Sequence, residues 1–227
     1  MYTMDGDYAP LAATGIAHMI LAAMTGWSLK HLGRPQMYDS SLIYTMMWCL
    51  MLYSLLGMIR FSHPYPHQML RAMYDRAALI ARVCPLPILT AQLYLTPHPS
   101  AYIFSNDQSL YVYYNSLAYT FFMSAIVAYI AYSFFTELNQ RHIANRILTG
   151  VLMLNAMGLS LIGCQTGNYW ASGLVVSFMS KHFMLPILAE RYRLPYALLY
   201  TYGLIFYEVF AVNAMLDAHA SYSKVII

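Results

Sequence analysis

Apolar runs of about twenty residues alternate with short polar links along this chain, each long enough to cross a hydrocarbon layer as an α-helix. Their approximate limits are Pro10–Leu29, Ser41–Ile59, Ala77–Leu95, Ser109–Phe135, Ile147–Gly163, Ala171–Ala189 and Tyr196–Met215. The third differs from the rest because Arg82, Pro85 and Pro87 interrupt it. Proline removes a backbone donor and crowds the preceding turn, so this segment is expected to be kinked or only partly inserted. The pattern predicts an all-α, polytopic integral membrane protein of about seven transmembrane helices, six if the Pro-containing third segment does not span. It reads as one transmembrane domain over 1–227, with short tails at 1–9 and 217–227.

Charge changes the picture by giving the bundle a direction. With seven spans, the end that carries the N-terminus also carries Arg60, Arg71, Arg76, Arg82, Arg141, Arg146, Arg191 and Arg193, against Lys30, Arg34 and Lys224 at the other end. Basic residues accumulate on the side that is not translocated, so the N-terminal side is expected to be cytoplasmic or matrix-equivalent. One span fewer before Arg141 would scramble that asymmetry.

Composition agrees: 60% of the residues are hydrophobic and only 9% charged, against about 25% charged in soluble domains. The net charge of +3 is not gathered into a stripe, so no nucleic-acid partner is expected. Asp5 and Asp7 make the N-terminal stretch unlike a signal or transit peptide, and no Asn-x-Ser/Thr sequon occurs. Cys49, Cys84 and Cys164 lie within apolar runs without a CxxC pair, which suits small buried thiols rather than a disulfide frame or metal site. Many of the 22 tyrosines stand near span ends, where an amphipathic ring suits the headgroup layer. Tyr196, Tyr200 and Tyr207 share a face of the last span.

Ionisable groups inside a span are costly and invite a search for partners. Lys181 falls about 12 Å from the basic end and Glu208 about 18 Å, by helical rise. Side chains lean toward a helix N-terminus, so the antiparallel sixth and seventh spans would bring these two groups toward each other as a buried ion pair. Arg82 is close enough to the basic surface to reach it, and Arg71 with Asp75 has the i, i+4 spacing of a surface pair. Asn155, like Gln92, Asn115 and Asn213, suits helix-to-helix hydrogen bonding.

His18 and His182 lie at one depth on different spans, and Gly15, Ala22 and Gly26 leave a small-residue face beside His18. That arrangement would admit bis-histidine haem b; histidines bonded within a helix interface are the competing reading. In HPYPH, His63 and His67 are four apart, but Pro64 and Pro66 forbid the helix that would aim them at one metal. No hydrolase triad, phosphate loop or HExxH is present.

These features lead to three functional expectations. The first is a non-catalytic integral-membrane subunit of a larger complex, for example a respiratory-type assembly of the mitochondrial inner membrane, with other membrane subunits and bound lipids as partners and no cofactor. The second is a small transporter or channel whose polar vestibule opens at the basic end, built from His18, Arg82, Asn155, Lys181, His182 and Glu208. The third is an intramembrane haem or lipid enzyme.

Overall fold

The computed structural model describes residues 5–33, 41–63, 65–96 and 108–226, with side chains over 11–33, 41–63, 65–96 and 112–220. Residues 34–40 and 97–107 lie outside the described residues. Regular structure among those described is helical throughout: α1 (Asp5–Leu32), α2 (Ser41–Ser62), α3 (Gln68–Val83), α4 (Pro85–Leu95), α5 (Gln108–Glu137), α6 (Arg141–Thr166), α7 (Tyr169–Tyr192) and α8 (Tyr196–Ile226). Six of these are long and apolar enough to cross a membrane alone, whereas α3 and α4 meet that test only together, bent by 46° at their junction.

Contacts at both ends of α2 show that the bent pair runs alongside that helix from end to end. Asp75 of α3 meets Arg60 near the C-terminus of α2. At the other end of α2, the amide of Leu42 donates to Gln92 Oε1 of α4. The pair therefore runs the length of a spanning helix; counted as one broken span, it makes the seventh beside the six long helices. Its helix starts at Gln68, earlier than the apolar run, because the polar stretch 68–76 continues the helix outward and His67 caps it by accepting from the Met69 amide.

The faces of α1 show which solvent this protein meets. Thr14, His18, Thr25 and Ser28 are buried, while Ile16, Met19 and Ile20 are exposed. A water-soluble helix has the reverse arrangement. In oil there is no gain from hiding an isoleucine, but a polar group without a partner is expensive, so polar residues turn inward and apolar ones outward. The protein is an integral membrane protein of the polytopic all-α class.

α4 is the pillar of the bundle. Nine of its residues are buried, and it packs against α2, α5, α6 and α8, while α8 lies between α1 and α7. Its far end is held by Tyr94, whose hydroxyl donates to the Gly158 carbonyl at 3.0 Å. Gly167, in the left-handed region at φ 68°, ends α6. Asn168 then caps α7 and donates to the Ala214 carbonyl of α8 at 2.8 Å. The two helices after this turn are antiparallel neighbours, as the short ERYRLP link predicts.

Candidate functional site

The break between α3 and α4 frees backbone groups in the middle of the bundle. Pro85 has no N–H, so the Ala81 carbonyl four residues back loses its helical partner. Such groups must be satisfied within the protein, because lipid cannot do it. Tyr200 Oη donates to that carbonyl at 2.9 Å, and Tyr207 Oη donates to the Pro85 carbonyl at 2.8 Å. Both tyrosines come from one face of α8, the face noted in the sequence.

Beside this seam lies a cavity of about 260 Å³, lined among others by Tyr53, Tyr74, Arg82, Tyr132, Tyr196 and Tyr200. Arg82 Nη1 donates to Tyr132 Oη at 2.9 Å, and Nη2 lies 3.5 Å from Asn145 Oδ1. Behind Tyr200 sits Lys181, buried, with Nζ 3.4 Å from Tyr200 Oη. Its amine faces three aromatic rings, with centroids at 3.9 Å for Phe178, 4.6 Å for Tyr200 and 5.8 Å for Tyr207.

The charges do not balance. Arg60 at the rim is matched by Asp75 at 2.5 Å, and this is the sole salt bridge among the described residues. Within that same set, Arg82 and Lys181 have no carboxylate at pairing distance. The carbonyl end of α3, beside Arg82, supplies about half a negative charge. The chain matches no family model, no curated protein and no solved structure.

Two charges expected to meet do not. Lys181 and Glu208 form no ion pair: Glu208 Oε1 is bonded instead to the Thr25 hydroxyl of α1, at 2.6 Å. The cause is rotation about α8. The Lys181 stem crosses Gly203 so closely that a Cβ there would lie 2.9 Å from its Cγ and Cδ. Glu208 is five residues further on, about 140° around the axis, and points to the other neighbour. The Arg71–Asp75 pair is likewise replaced by Arg60–Asp75, with the Arg60 guanidinium 4.4 Å from the Tyr74 ring centroid.

The two histidines do not share a site. His18 Nε2 lies 3.2 Å from Tyr74 Oη and 3.5 Å from Thr201 Oγ1. Its ring is stacked on Phe61 and meets Tyr53 and Tyr74 edge-on. His182 Nε2 instead meets Thr149 Oγ1 of α6 at 2.9 Å. The small face of α1 is taken by α2, with Phe61 against Gly15 and Met51 against Gly26. These residues do not fit a bis-histidine haem.

Asn155 joins α6 to α5, donating to Ser124 Oγ at 3.0 Å and to the Val151 carbonyl at 2.8 Å. Of the vestibule set, then, Arg82 lines the tyrosine cavity, Lys181 and His18 lie behind its Tyr200 and Tyr74 walls, and Asn155, His182 and Glu208 lie in other interfaces. Tyr53, Tyr74 and Tyr132 were not singled out by sequence reasoning. They stand among 22 tyrosines, and only the fold selects them.

Proposed function

We propose that this protein is a membrane carrier for a small organic anion, bound in the tyrosine cavity beside the α3–α4 break. One observation carries the reading: Arg82, with no carboxylate at pairing distance among the described residues, lines one small cavity whose own carboxylate, Asp75, is taken by Arg60, and the buried Lys181 amine lies behind its Tyr200 wall. A buried positive charge is costly unless matched, and an anionic ligand would supply the missing charge. The volume suits a molecule smaller than the usual drug-sized ligand. Discontinuous helices recur at the substrate sites of carriers, because their ends offer backbone groups and their halves can move separately.

The same tyrosines would link binding to that motion. Tyr200 lines the cavity and also holds the Ala81 carbonyl. A ligand that recruits its hydroxyl would release one of the bonds sealing the break. The basic end would then face the cytoplasm or the mitochondrial matrix, with the anion entering there.

The test is uptake of radiolabelled monocarboxylates, dicarboxylates and phosphate into vesicles holding the purified protein. A charge-assisted hydrogen bond contributes about 1.5–3 kcal/mol, so Arg82→Gln should weaken binding roughly tenfold to a hundredfold. Uptake that is unchanged in both Arg82→Gln and Lys181→Met, for an anion shown to move, would refute the carrier reading.

A second reading, as a subunit of a larger membrane complex such as a respiratory assembly, has one observation in its favour. The outer side of α5 carries a groove lined by Asn115, Ser116, Tyr119 and Thr120, and small or polar residues on a membrane helix favour helix contacts over lipid. Co-purification in a gentle detergent, lost in Ser116→Leu with Thr120→Leu, would support it.

A further inference from the structure

Glu208 stands apart from the anion cavity and from every cation among the described residues. It lies twelve residues past the start of α8 at Tyr196, about 18 Å along the helix, and is fully buried. One carboxyl oxygen meets Thr25; the other, Oε2, has no hydrogen-bond partner. The elements packed against α8 are α1, α7 and α4. From α1, Thr25 and Ser28 lie beside Glu208, while His18 engages Tyr74 and Thr201. From α7, the Lys181 amine faces Tyr200 and its ring box. From α4, the Pro85 carbonyl is taken by Tyr207. No cation or metal-ligating cluster among the described residues faces the carboxyl.

The decisive geometry is at Thr25. Its Oγ1 lies 2.8 Å from the Leu21 carbonyl and 2.6 Å from Glu208 Oε1. A hydroxyl has one proton and can donate to only one of them. If it donates to Leu21, the short contact to Glu208 needs a hydrogen from the carboxyl itself. The acid form satisfies both short contacts, Glu208 donating to Thr25 and Thr25 donating to Leu21, and leaves Oε2 as a neutral carbonyl oxygen. The ionised form would put charge on Oε2 in a water-free interior, where the neighbouring Ser28 hydroxyl is already donated to the Met24 carbonyl.

We propose that Glu208 is a proton-binding site in the middle of the bundle, with Thr25 as the hydrogen-bond relay that senses its occupancy. With the proton bound, the Thr25 hydrogen rests on the α1 backbone; on its loss, that hydrogen turns to the carboxylate and leaves the Leu21 carbonyl. The site needs no organic anion, so its test is separate from that of the carrier reading.

The test is infrared spectroscopy of the full-length protein in detergent at neutral pH, without added anion. A carboxylic-acid C=O band is expected in the wild type, absent in Glu208→Gln and moved to higher frequency in Thr25→Val, where the hydrogen bond is gone. The band should be indifferent to sodium. Identical spectra in this region for wild type and Glu208→Gln would overturn the proposal even if Thr25→Val failed to fold. So would replacement of the acid band by a carboxylate band on adding sodium, because the site would then hold a metal cation.

Discussion

Lys181→Met asks whether the buried amine is structural or is held for a ligand. Methionine matches the length of the lysine stem that crosses Gly203 and replaces the ammonium with an apolar end. Placing a lysine within the hydrocarbon costs about 2.5–3.5 kcal/mol. Against this, the rings of Phe178, Tyr200 and Tyr207 return about 2 kcal/mol when desolvated. The long bond to Tyr200 Oη adds about 1 kcal/mol at most. The terms nearly cancel, so stability should change by no more than about 1 kcal/mol in either direction.

A lysine paired with Glu208 would behave differently, because its removal would strand a buried carboxylate at a cost of about 3–5 kcal/mol. Reversible unfolding in mixed detergent micelles separates the two cases, measured on Lys181→Met, Glu208→Gln and the double variant. The coupling energy should stay below about 0.5 kcal/mol, as for groups without a shared contact. A loss of about 3 kcal/mol in Lys181→Met, recovered when Glu208→Gln is added, would refute the geometry. The same variant should lose anion uptake, so a stable but inactive protein is the outcome expected of a ligand-binding charge.

Two further outcomes test the packing and the topology. A methyl group on Gly57 would overlap the His18 ring, which is already enclosed by Tyr53, Phe61 and Tyr74. Gly57→Ala should therefore cost about 1–3 kcal/mol of overpacking, less about 1 kcal/mol of gained helix propensity. In a thermal melt the loss should shrink when His18→Ala is added, and an unshifted midpoint in the single variant would contradict the contact. In a background without native cysteines, an impermeant maleimide should reach His63→Cys and Asn139→Cys from one side, and Lys30→Cys and Tyr169→Cys from the other. Labelling of His63→Cys and Asn139→Cys from opposite sides would show that the α3–α4 pair does not cross.

The spans were legible because crossing oil imposes a length, and length survives in a linear pattern of apolar residues. The break at Pro85 was legible for a similarly local reason, since proline acts on the residue four before it. What the apolar pattern did not carry was rotation about each helix. A span that is apolar on every side has no hydropathy signal to say which side meets which neighbour, and the expected Lys181–Glu208 pair failed on that point alone. Depth placed both charges within reach; about 140° around α8 separated them.

Rotation can still be read where polar residues mark the seam. In α1 the buried polar positions are Thr14, His18, Thr25 and Ser28, and in α8 they include Thr201 and Glu208. Steps of three, four and seven keep a helix on one side of its axis, because seven residues come within about 20° of two full turns. Thr201 and Glu208 are seven apart, so they share a side. Thr201 faces His18, and Glu208 faces Thr25, itself seven residues from His18. Two polar seams with the same period, one on each helix, require α1 and α8 to be partners with Glu208 between them. Lys181 has no such companion seven residues away, since Leu174 and Leu188 stand there. It is a single charge on an otherwise apolar side, held by aromatic rings next to a cavity, and on the carrier reading the group that completes it arrives from outside the chain.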